Sequence, residues 1–405
     1  MSAMSRLFSA LYLHIPFCVK RCAYCDFATE AVPRGSERID DFVERMVISI
    51  RRAAKAGLLS GLETIYIGGG TPTHIGLSKL SEILYILSLS KDIDASMEVT
   101  MEANPESLTE QIVKDARALG VNRLSIGVQS LDDGVLETLG RAHGSKRAIE
   151  AIQLATSCLD NVSADVICGV MGQSDESLVS TIEQLVGLGV THVSVYPLTI
   201  EEGTPLCAII EAGQLPEVDE DAQARHMELA AKTLQAHGFT RYEVASYALP
   251  GRESRHNSAY WTGKPYLGLG YGAASMLDSY DLGALLESGA LDCWAESIDF
   301  EGLQERAAGS HRTRISLARG GLEAEFLSER ESACEDAMLG LRMSRGLPES
   351  ALSRLTDACP ELAAAIDEAL TKGLAQLNGD GSVSPTAKGW LLGNELYGLV
   401  WDCAR

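Results

Sequence analysis

Six short apolar segments recur along the first half of the chain, separated by longer stretches in which apolar residues return every three or four positions. The short segments predict strands and the intervening period predicts helices. Strands that alternate with helices indicate an α/β fold with a parallel sheet, either open or closed into a barrel. The predicted strands cover residues 11–15, 64–67, 98–102, 123–127, 162–168 and 192–196. A site is expected at the carboxyl ends of these strands.

The pattern changes in the second half of the chain. A helix is predicted over 214–237 and a strand over 242–247, and the periodicity then weakens. Helices follow at 335–343, 361–372 and 385–399, with the turn Asn378-Gly379-Asp380-Gly381 predicting a small hairpin before the last one. The expected division is an N-terminal segment (1–10), a core (11–282), an irregular linker (283–330) and a smaller C-terminal helical, winged-helix-like domain (331–405).

Composition narrows the class of protein. A chain of 405 residues, 46% of them hydrophobic, can bury a large core. Its 34 basic and 56 acidic side chains give a net charge of −22, which disfavours nucleic acid as a partner. No apolar run approaches the roughly 18 to 20 residues of a membrane helix, and the first ten residues are too short for a signal peptide. We expect a cytoplasmic protein, and leave a peripheral membrane contact and a homodimer open.

Three cysteines follow the first predicted strand directly. Cys18, Cys22 and Cys25 are separated by three and then two residues. A loop with three thiolates can hold a [4Fe–4S] cluster and leave one iron without a protein ligand, open to a small molecule. Lys20 and Arg21 lie inside the loop, where their charge is expected to favour the thiolate form.

Other interpretations of the cysteine loop need weighing. Zinc would require a fourth ligand, such as His14, Asp26 or a distant cysteine, and zinc ligands more often come as two separated pairs. A disulfide is disfavoured because the ten cysteines are spread along the chain without a secretory signal. The remaining cysteines lack ligand spacing and are expected to be buried or idle thiols.

Two further segments lie at predicted strand ends. Gly68-Gly69-Gly70-Thr71 follows the second strand, where backbone can approach a ligand closely, but the segment lacks the Lys-Ser/Thr ending of a phosphate loop. Its alternative interpretation is a tight turn. Glu102 ends the third strand just before Pro105. A lone glutamate is ordinarily a solvated surface charge, although over a pocket it can accept hydrogen bonds from hydroxyl groups.

The cysteine segment carries a family resemblance. The run Tyr12-Leu13-His14-Ile15-Pro16-Phe17-Cys18, with Cys22, Tyr24, Cys25, Asp26 and Phe27, resembles the cluster loop of the radical S-adenosylmethionine (SAM) superfamily and, more narrowly, the HemW family. The resemblance implies a partial (β/α)6 TIM-like barrel, which the periodicity alone leaves open. It also implies a [4Fe–4S] cluster whose open iron chelates SAM, so that reductive cleavage of SAM gives a 5′-deoxyadenosyl radical.

The same resemblance assigns roles to single residues. The glycine loop matches the segment that binds the methionine amino group of SAM, and Glu102 matches a ribose-binding glutamate. Gln129 and Arg141 match positions near the carboxylate and ribose, while Asp165 matches a further cofactor-side position with an equally structural alternative. The expected cofactor-binding residues are Tyr12, Gly68, Gly69, Gly70, Thr71, Glu102, Gln129, Arg141 and Asp165, and the expected cluster ligands are Cys18, Cys22 and Cys25.

Two differences separate the functions that this scaffold supports. Phe27 stands where related coproporphyrinogen III oxidases have a fourth cysteine, and only eleven residues precede Tyr12, whereas those oxidases carry a longer extension. Both favour a haem chaperone. The segment His256-Asn257-Ser258-Ala259-Tyr260-Trp261 resembles the HNxxYW signature of the family, which implies haem contacts by His256, Tyr260 and Trp261. The alternative is a buried histidine with two core aromatic residues.

The resemblance thus implies a haem chaperone that binds a [4Fe–4S] cluster, SAM and haem and delivers haem to a recipient protein. An electron donor such as a flavodoxin or ferredoxin is expected. The alternatives are an oxygen-independent coproporphyrinogen III oxidase and a radical SAM enzyme with another substrate. Ala274 replaces a histidine common in the family, and a haem thiolate among the remaining cysteines stays open.

Overall fold

The computed structural model describes residues 7–295, 297–318 and 321–405, so most of the predicted N-terminal segment lies outside the described residues. Six parallel strands occupy the predicted positions and confirm the α/β fold. Each agrees with its predicted bounds to within two residues. They are β1 (Ala10–Ile15), β2 (Thr64–Gly69), β3 (Glu98–Ala103), β4 (Arg123–Gln129), β5 (Val162–Cys168) and β6 (His192–Pro197), adjacent in that order.

The sheet continues beyond these six strands on both sides. β7 (Ser246–Ala248) lies antiparallel to β6 and pairs with Thr240–Arg241. On the other side β8 (Tyr266–Leu269) runs parallel to β1, followed by the antiparallel strands β9 (Ala274–Asp278), β10 (Arg312–Ala318) and β11 (Gly321–Leu327). Among the described strands the order ends at β11 and at Thr240–Arg241 without a closing pair, as in a partial barrel.

Helices connect the parallel strands and bury one apolar face each against the sheet. Several begin at a side-chain cap, as at Ser36, Thr109 and Asp219, each of which accepts a hydrogen bond from a backbone N–H in the first turn. The longer ones are α1 (Glu37–Lys55), α2 (Leu77–Ser90), α3 (Glu110–Ala118), α4 (Ser145–Cys158), α5 (Asp175–Gly187) and α6 (Glu220–Ala236). Shorter helices span Asp133–Thr138, Pro205–Glu211, Arg255–Trp261, Leu282–Glu287 and Phe300–Ala307, with 3-10 turns at Pro72–Ile75 and Ser279–Asp281.

The expectation of an irregular linker over 283–330 is wrong for the described residues. That range contains the helix Phe300–Ala307 and the strands β10 and β11, which extend the main sheet. Trp294 and Ile315 are fully buried in the same hydrophobic cluster as the parallel strands. The periodicity is weak because β11 buries little of either face, so that charged residues alternate along it. The predicted strand over 242–247 also shifts, since only Ser246–Ala248 forms β7.

The C-terminal part has its own hydrophobic core, which includes Leu355, Leu362 and Leu396. Its helices are α7 (Glu329–Gly340), α8 (Glu349–Ala358), α9 (Glu361–Thr371), the short helix Ala387–Leu391 and α10 (Gly393–Trp401), with a final turn at Asp402–Ala404. The predicted hairpin is present as Ala375–Leu377 paired with Val383–Pro385. Arg312 on β10 donates to Glu335 on α7 at 2.7 Å and thereby ties this part to the sheet. No helix of the described residues is long and apolar enough to span a membrane.

Candidate functional site

A cavity of about 120 Å³ lies at the carboxyl ends of the parallel strands, under the cysteine loop. It gathers most of the residues that the sequence predicts for the cluster and the cofactor. Those that line it are Cys18, Cys22, Cys25, Gly69, Gly70, Glu102, Gln129, Arg141 and Asp165. Residues distant in sequence therefore meet at one place, as the parallel topology requires.

The cysteine loop is anchored to the barrel at several points. Cys18 ends the short strand Phe17–Cys18, which pairs with Glu30–Ala31. The backbone N–H of Ala23 donates to the carbonyl of Leu139 at 3.1 Å. Arg21 Nε donates to the carbonyl of Cys25 at 3.0 Å, so this side chain braces the loop. All three thiols are free and partly accessible.

Two of the three thiols have a close polar neighbour. Thr71 Oγ1 lies 3.4 Å from Cys18 Sγ, and Arg141 Nη1 lies 3.2 Å from Cys22 Sγ. Burial raises the pKa of Cys18 to about 11, against the smaller effect of the Thr71 hydroxyl, and the other two sulfurs raise it further. At Cys18, burial therefore outweighs the effect expected from Lys20 and Arg21. Both cationic side chains are exposed, and water screens their charge.

The donor set of the loop fits a cluster better than a single ion. No group of three or more His, Cys, Asp or Glu side chains in the described chain is close enough to hold one metal ion. The three free thiols instead open onto one shared cavity. Such thiols are the ligands that iron–sulfur clusters take, and one iron is then left for another donor.

The glycine loop packs directly on the cysteine strand. The N–H groups of Gly70 and Thr71 donate to the carbonyls of Ile15 and Phe17, each at 2.8 Å. A Cβ at Gly70 would lie 2.8 Å from the Phe17 oxygen, and one at Gly68 would lie 2.7 Å from Glu102 Cδ. Backbone atoms and Glu102 therefore leave no room for side chains at Gly70 and Gly68. A tight turn alone does not require such close packing.

Glu102 is fixed at the end of β3. It accepts hydrogen bonds from Tyr66 Oη at 2.7 Å and from the N–H of Gly69 at 3.0 Å. Burial raises the pKa of Glu102 to about 7, although these two bonds and Arg123 act in the opposite direction. The carboxyl group is thus held in place at the cavity wall in a site that favours protonation.

A chain of hydrogen bonds connects two of the cysteines beside the cavity. From Thr71, beside Cys18, it passes to Asn104, whose Nδ2 lies 2.8 Å from Thr71 Oγ1. Asn104 Oδ1 accepts from Arg141 Nη2 at 2.7 Å, and Arg141 reaches Cys22. Sequence reasoning missed Asn104. The available signal was its place two residues after Glu102, at the same strand end and before Pro105.

Gln129 has an unusual backbone conformation. Its φ of 65° is the one positive value found for a non-glycine residue in the described chain. The pairing of β4 with β5 shifts register between Ile126 and Gln129, and this irregularity turns Gln129 toward the cavity. Asp165 on β5 accepts a 3.4 Å hydrogen bond from Ser125, and burial raises the pKa of Asp165 to about 6. The positive φ of Gln129 is a strained backbone conformation, and such strain clusters at functional sites.

Tyr12 lies behind the cavity wall. Its hydroxyl bonds to His14 Nδ1 at 3.0 Å, and its ring centroid is 6.1 Å from that of Tyr66. Tyr12, Gly68 and Thr71 are not among the lining residues and support that wall from behind.

Of the three haem candidates, His256 is buried against the face of β2 that carries Thr64 and Tyr66, and Tyr260 and Trp261 are half-buried. His256 is 1% exposed, and its two ring nitrogens lie 2.9 Å from Thr64 Oγ1 and 3.0 Å from Tyr260 Oη. Trp261 Nε1 donates to Glu243, and Arg342 from the C-terminal part lies over the indole. This arrangement favours the structural alternative, because no nitrogen of His256 is left for an iron.

Comparison with known proteins agrees with this geometry. Residues 12–185 match the family model of the radical SAM superfamily. Fold and site together define a radical SAM protein. The chain is 34% identical over 384 residues to the heme chaperone HemW of Mycobacterium tuberculosis, covering 94% of this chain and 92% of the relative. It is 30% identical over 396 residues to HemW of Bacillus subtilis, with coverage of 96% and 97%. The chain belongs to the HemW family.

A solved structure supports the same fold. Coproporphyrinogen III oxidase (HemN) from Escherichia coli superposes with a TM-score of 0.74, covering 98% of this chain and 90% of that one. The sequence identity is 19%, so this likeness concerns the fold alone.

Proposed function

We propose that this protein is a haem chaperone that binds haem and transfers it to a recipient protein. The observation that carries the proposal is the identity of 34% and 30% to two heme chaperones over at least 92% of their lengths. The oxidase that shares the fold is only 19% identical. Near-complete coverage means that both the barrel and the C-terminal part take part in the similarity.

Cys18, Cys22 and Cys25 are proposed to hold a [4Fe–4S] cluster, with SAM beside it. The fit rests on three free thiols at one cavity, a glycine loop without room for side chains, and an arginine that contacts Cys22. When bound, these groups supply one-electron chemistry, and a flavodoxin or ferredoxin is the expected donor.

The protein's own residues would orient the bound groups. Arg141 places a fixed guanidinium where a carboxylate can bind, and Asn104 holds that guanidinium in position. Glu102, held by Tyr66, offers a carboxyl group to ligand hydroxyls. The backbone of Gly69 and Gly70 closes the cavity from the side of β2 and limits access of water.

The oxidase alternative lacks support at one position of the loop. Phe27 stands two residues after Cys25, where the resemblance places a fourth cysteine in the oxidases. Its side chain is 69% exposed and lines the cavity rim. An exposed aromatic ring suits a contact with an apolar ligand or partner and supplies no thiol.

The test compares the two functions in one preparation. Anaerobic, cluster-loaded protein is titrated with haem and, in parallel, incubated with coproporphyrinogen III, dithionite and SAM. We expect stoichiometric haem binding and no protoporphyrinogen. Haem transfer to an acceptor apoprotein, followed by absorbance, completes the test. Formation of protoporphyrinogen without haem binding would identify the oxidase instead, and a Cys22→Ser variant controls for chemistry that depends on the cluster.

A further inference from the structure

Three cysteines outside the cysteine loop lie close together in the C-terminal part. Cys334 is on α7, Cys359 follows the last residue of α8, and Cys403 is in the final turn. Cys334 and Cys359 are fully buried in the hydrophobic core of this part, and Cys403 packs against that core, half-buried. All three are free thiols, and we call them the cysteine triad. The function proposed above does not use them.

The two buried thiols of the triad are in contact. Cys334 Sγ lies 3.6 Å from Cys359 Sγ, and the Cys334 thiol donates. A disulfide bond is about 2.0 Å long, so rotation of the two short side chains can supply most of the remaining approach. The bond would join α7 to the end of α8 and link residues 25 positions apart.

Polar side chains cover the buried pair. Arg330 donates to the Cys403 carbonyl at 2.8 Å and to the Glu361 carboxylate at 2.9 Å. The Cys359 thiol donates to the same carboxylate at 3.5 Å and lies 3.8 Å from the Cys403 carbonyl. Glu361 is exposed. The Cys359 sulfur is therefore only one side chain away from water.

The triad fits neither a metal site nor a catalytic thiol. Among the described residues no group of three or more such ligands could hold a metal ion. Burial raises the pKa of Cys334 to about 12 and also raises the pKa of Cys403, while Arg330 acts in the opposite direction at both. These thiols are protonated at rest and react slowly, which suits a reaction that occurs only under oxidising conditions.

Cys403 gives an oxidant access to the pair. It is the member of the triad with exposed surface, whereas Cys334 and Cys359 are fully buried. It is also close enough to both that their charges interact. Because buried thiols are inert toward reagents in solution, the first oxidation is expected at Cys403.

We propose that the cysteine triad is a redox-modification site, at which hydrogen peroxide converts Cys334 and Cys359 to a disulfide by way of Cys403. The Cys403 thiol and peroxide give a sulfenic acid and water. The Cys359 thiol attacks this sulfur, so that a Cys359–Cys403 bond forms and a second water leaves. The Cys334 thiol then attacks the Cys359 sulfur, and its proton passes to the departing Cys403 sulfur. In sum, two thiols lose two electrons and two protons, and one peroxide becomes two waters.

The disulfide would act at the junction of the C-terminal part and the sheet. Glu335 and Asp336 follow Cys334 directly on α7, and both bind Arg312 of β10, at 2.7 and 2.8 Å. A bond from Cys334 to Cys359 would therefore fix α8 to the helix that holds the sheet. Oxidation would stiffen this junction, and reduction would release it.

The experiment exposes the full, cluster-loaded protein to a small excess of hydrogen peroxide, with a chelator to bind any iron that is released. N-ethylmaleimide then traps the remaining thiols under denaturing conditions. Trypsin separates the triad into the peptides 331–342, 355–372 and 389–405, none of which contains a cysteine of the cysteine loop. Mass spectrometry should find 331–342 joined to 355–372, and dithiothreitol should separate them. Two fully alkylated peptides, under conditions that oxidise the half-buried Cys158, would overturn the proposal.

A variant tests the route through Cys403. Cys403→Ser should form the joined peptide at least about tenfold more slowly, because both remaining thiols are shielded from the oxidant. Cys158→Ser, at the end of α4, is the matched control and should react as wild type does. An unchanged rate in Cys403→Ser would reject the route through this residue. These results do not depend on whether the cysteine loop holds a cluster.

Thermal unfolding tests whether the pair is placed for the bond. Oxidised wild type should unfold at least about 3 °C higher than the untreated protein, because the bond closes a loop of the unfolded chain. Cys334→Ala, treated in the same way, should show no such rise. Each protein is compared with its own untreated sample, so any effect of the substitution itself cancels. A joined peptide with a lower unfolding temperature would mean that the bond strains α7 and α8, and would contradict the proposal.

Discussion

The guanidinium of Arg141 lies 3.2 Å from the sulfur of Cys22, and both residues line the cavity at the strand ends. The same side chain donates to Asn104 at 2.7 Å and to the carbonyl of Gly127 at 2.8 Å. One planar group therefore connects the cysteine loop with the ends of two strands. Only arginine has enough donors in fixed directions for all of these contacts.

Arg141→Lys should weaken SAM binding by at least about tenfold, because one ammonium group cannot replace the planar set of donors. Iron and sulfide content should remain near that of wild type, since the thiols are unchanged. Anaerobic calorimetry with SAM measures the affinity, and Arg51→Lys on α1 is the control. Unchanged SAM affinity in Arg141→Lys would contradict the role given to this residue.

Gln129→Gly should unfold at a higher urea concentration than Gln129→Ala. The positive φ of 65° costs an L-residue roughly 1–2 kcal/mol and costs glycine almost nothing. We expect the free energy of unfolding of Gln129→Gly to exceed that of Gln129→Ala by about 1 kcal/mol. In an ordinary strand the alanine variant would be the more stable of the two. Both variants should bind SAM more weakly, since both lack the amide. Equal stability of the two variants would count against strain at this position.

Gly70→Ala should lower both the stability and the cluster content. The added Cβ would lie 2.8 Å from backbone atoms of Pro16 and Phe17, next to Cys18. Gly187→Ala is a matched control, because nothing lies within 4 Å of its Cβ position at the end of α5. That variant should be neutral or slightly more stable. Thermal unfolding and iron analysis after reconstitution give the comparison, and a fully loaded Gly70→Ala protein would refute the need for close packing.

The stability of the cluster-free protein should fall as the pH rises from about 4.5 to about 7. Burial raises the pKa of Glu102 from 4.5 to about 7, so the folded state holds a proton that the unfolded chain has released. The loss should be on the order of 1–3 kcal/mol.

Glu102→Gln should make the pH dependence of that stability flatter. Asp165 keeps a smaller trend of the same sign, because burial raises its pKa to about 6. Urea unfolding at several pH values provides the measurement, with exposed Glu44→Gln as the control. Parallel curves for wild type and Glu102→Gln would exclude Glu102 as the source.

His256→Ala should destabilise the protein by about 2–4 kcal/mol and leave the absorbance of bound haem unchanged. The variant creates a cavity and leaves Thr64 and Tyr260 without their partner. Burial lowers the pKa of His256 to about 3, so the ring is neutral in the folded state. The urea midpoint and the Soret band report these two effects separately. Loss of the haem spectrum with full stability would restore His256 as an iron ligand.

The sequence predicts the parallel strands well because their buried, nearly continuous apolar runs differ sharply from the connecting helices. The cysteine spacing and the glycine loop are local patterns, and both point to the cavity that the structure contains. The role of Asn104 was missed because it depends on contacts with Thr71 and Arg141, which lie on other parts of the sheet edge. A single asparagine carries no signal of its partners until the chain is folded.

The antiparallel strands β10 and β11 escaped prediction for a different reason. β11 exposes charged residues such as Glu323 and Glu325, and its apolar positions are only partly covered. It pairs with β10 along its whole length, and its Glu325 forms a partly exposed ion pair with Arg314 at 2.6 Å. Register and pairing of this kind are long-range properties, whereas hydrophobic periodicity is a local one.

The position of β1 between β2 and β8 has a consequence for biosynthesis. β8 supplies the second neighbour of β1, and the backbone after it passes so close to His14 that a Cβ at Gly270 would lie 2.3 Å from the His14 oxygen. A nascent chain therefore cannot complete the support of the cysteine loop before residue 269 has emerged from the ribosome. The loop near the start of the chain thus takes part of its support from a strand encoded far away in the sequence.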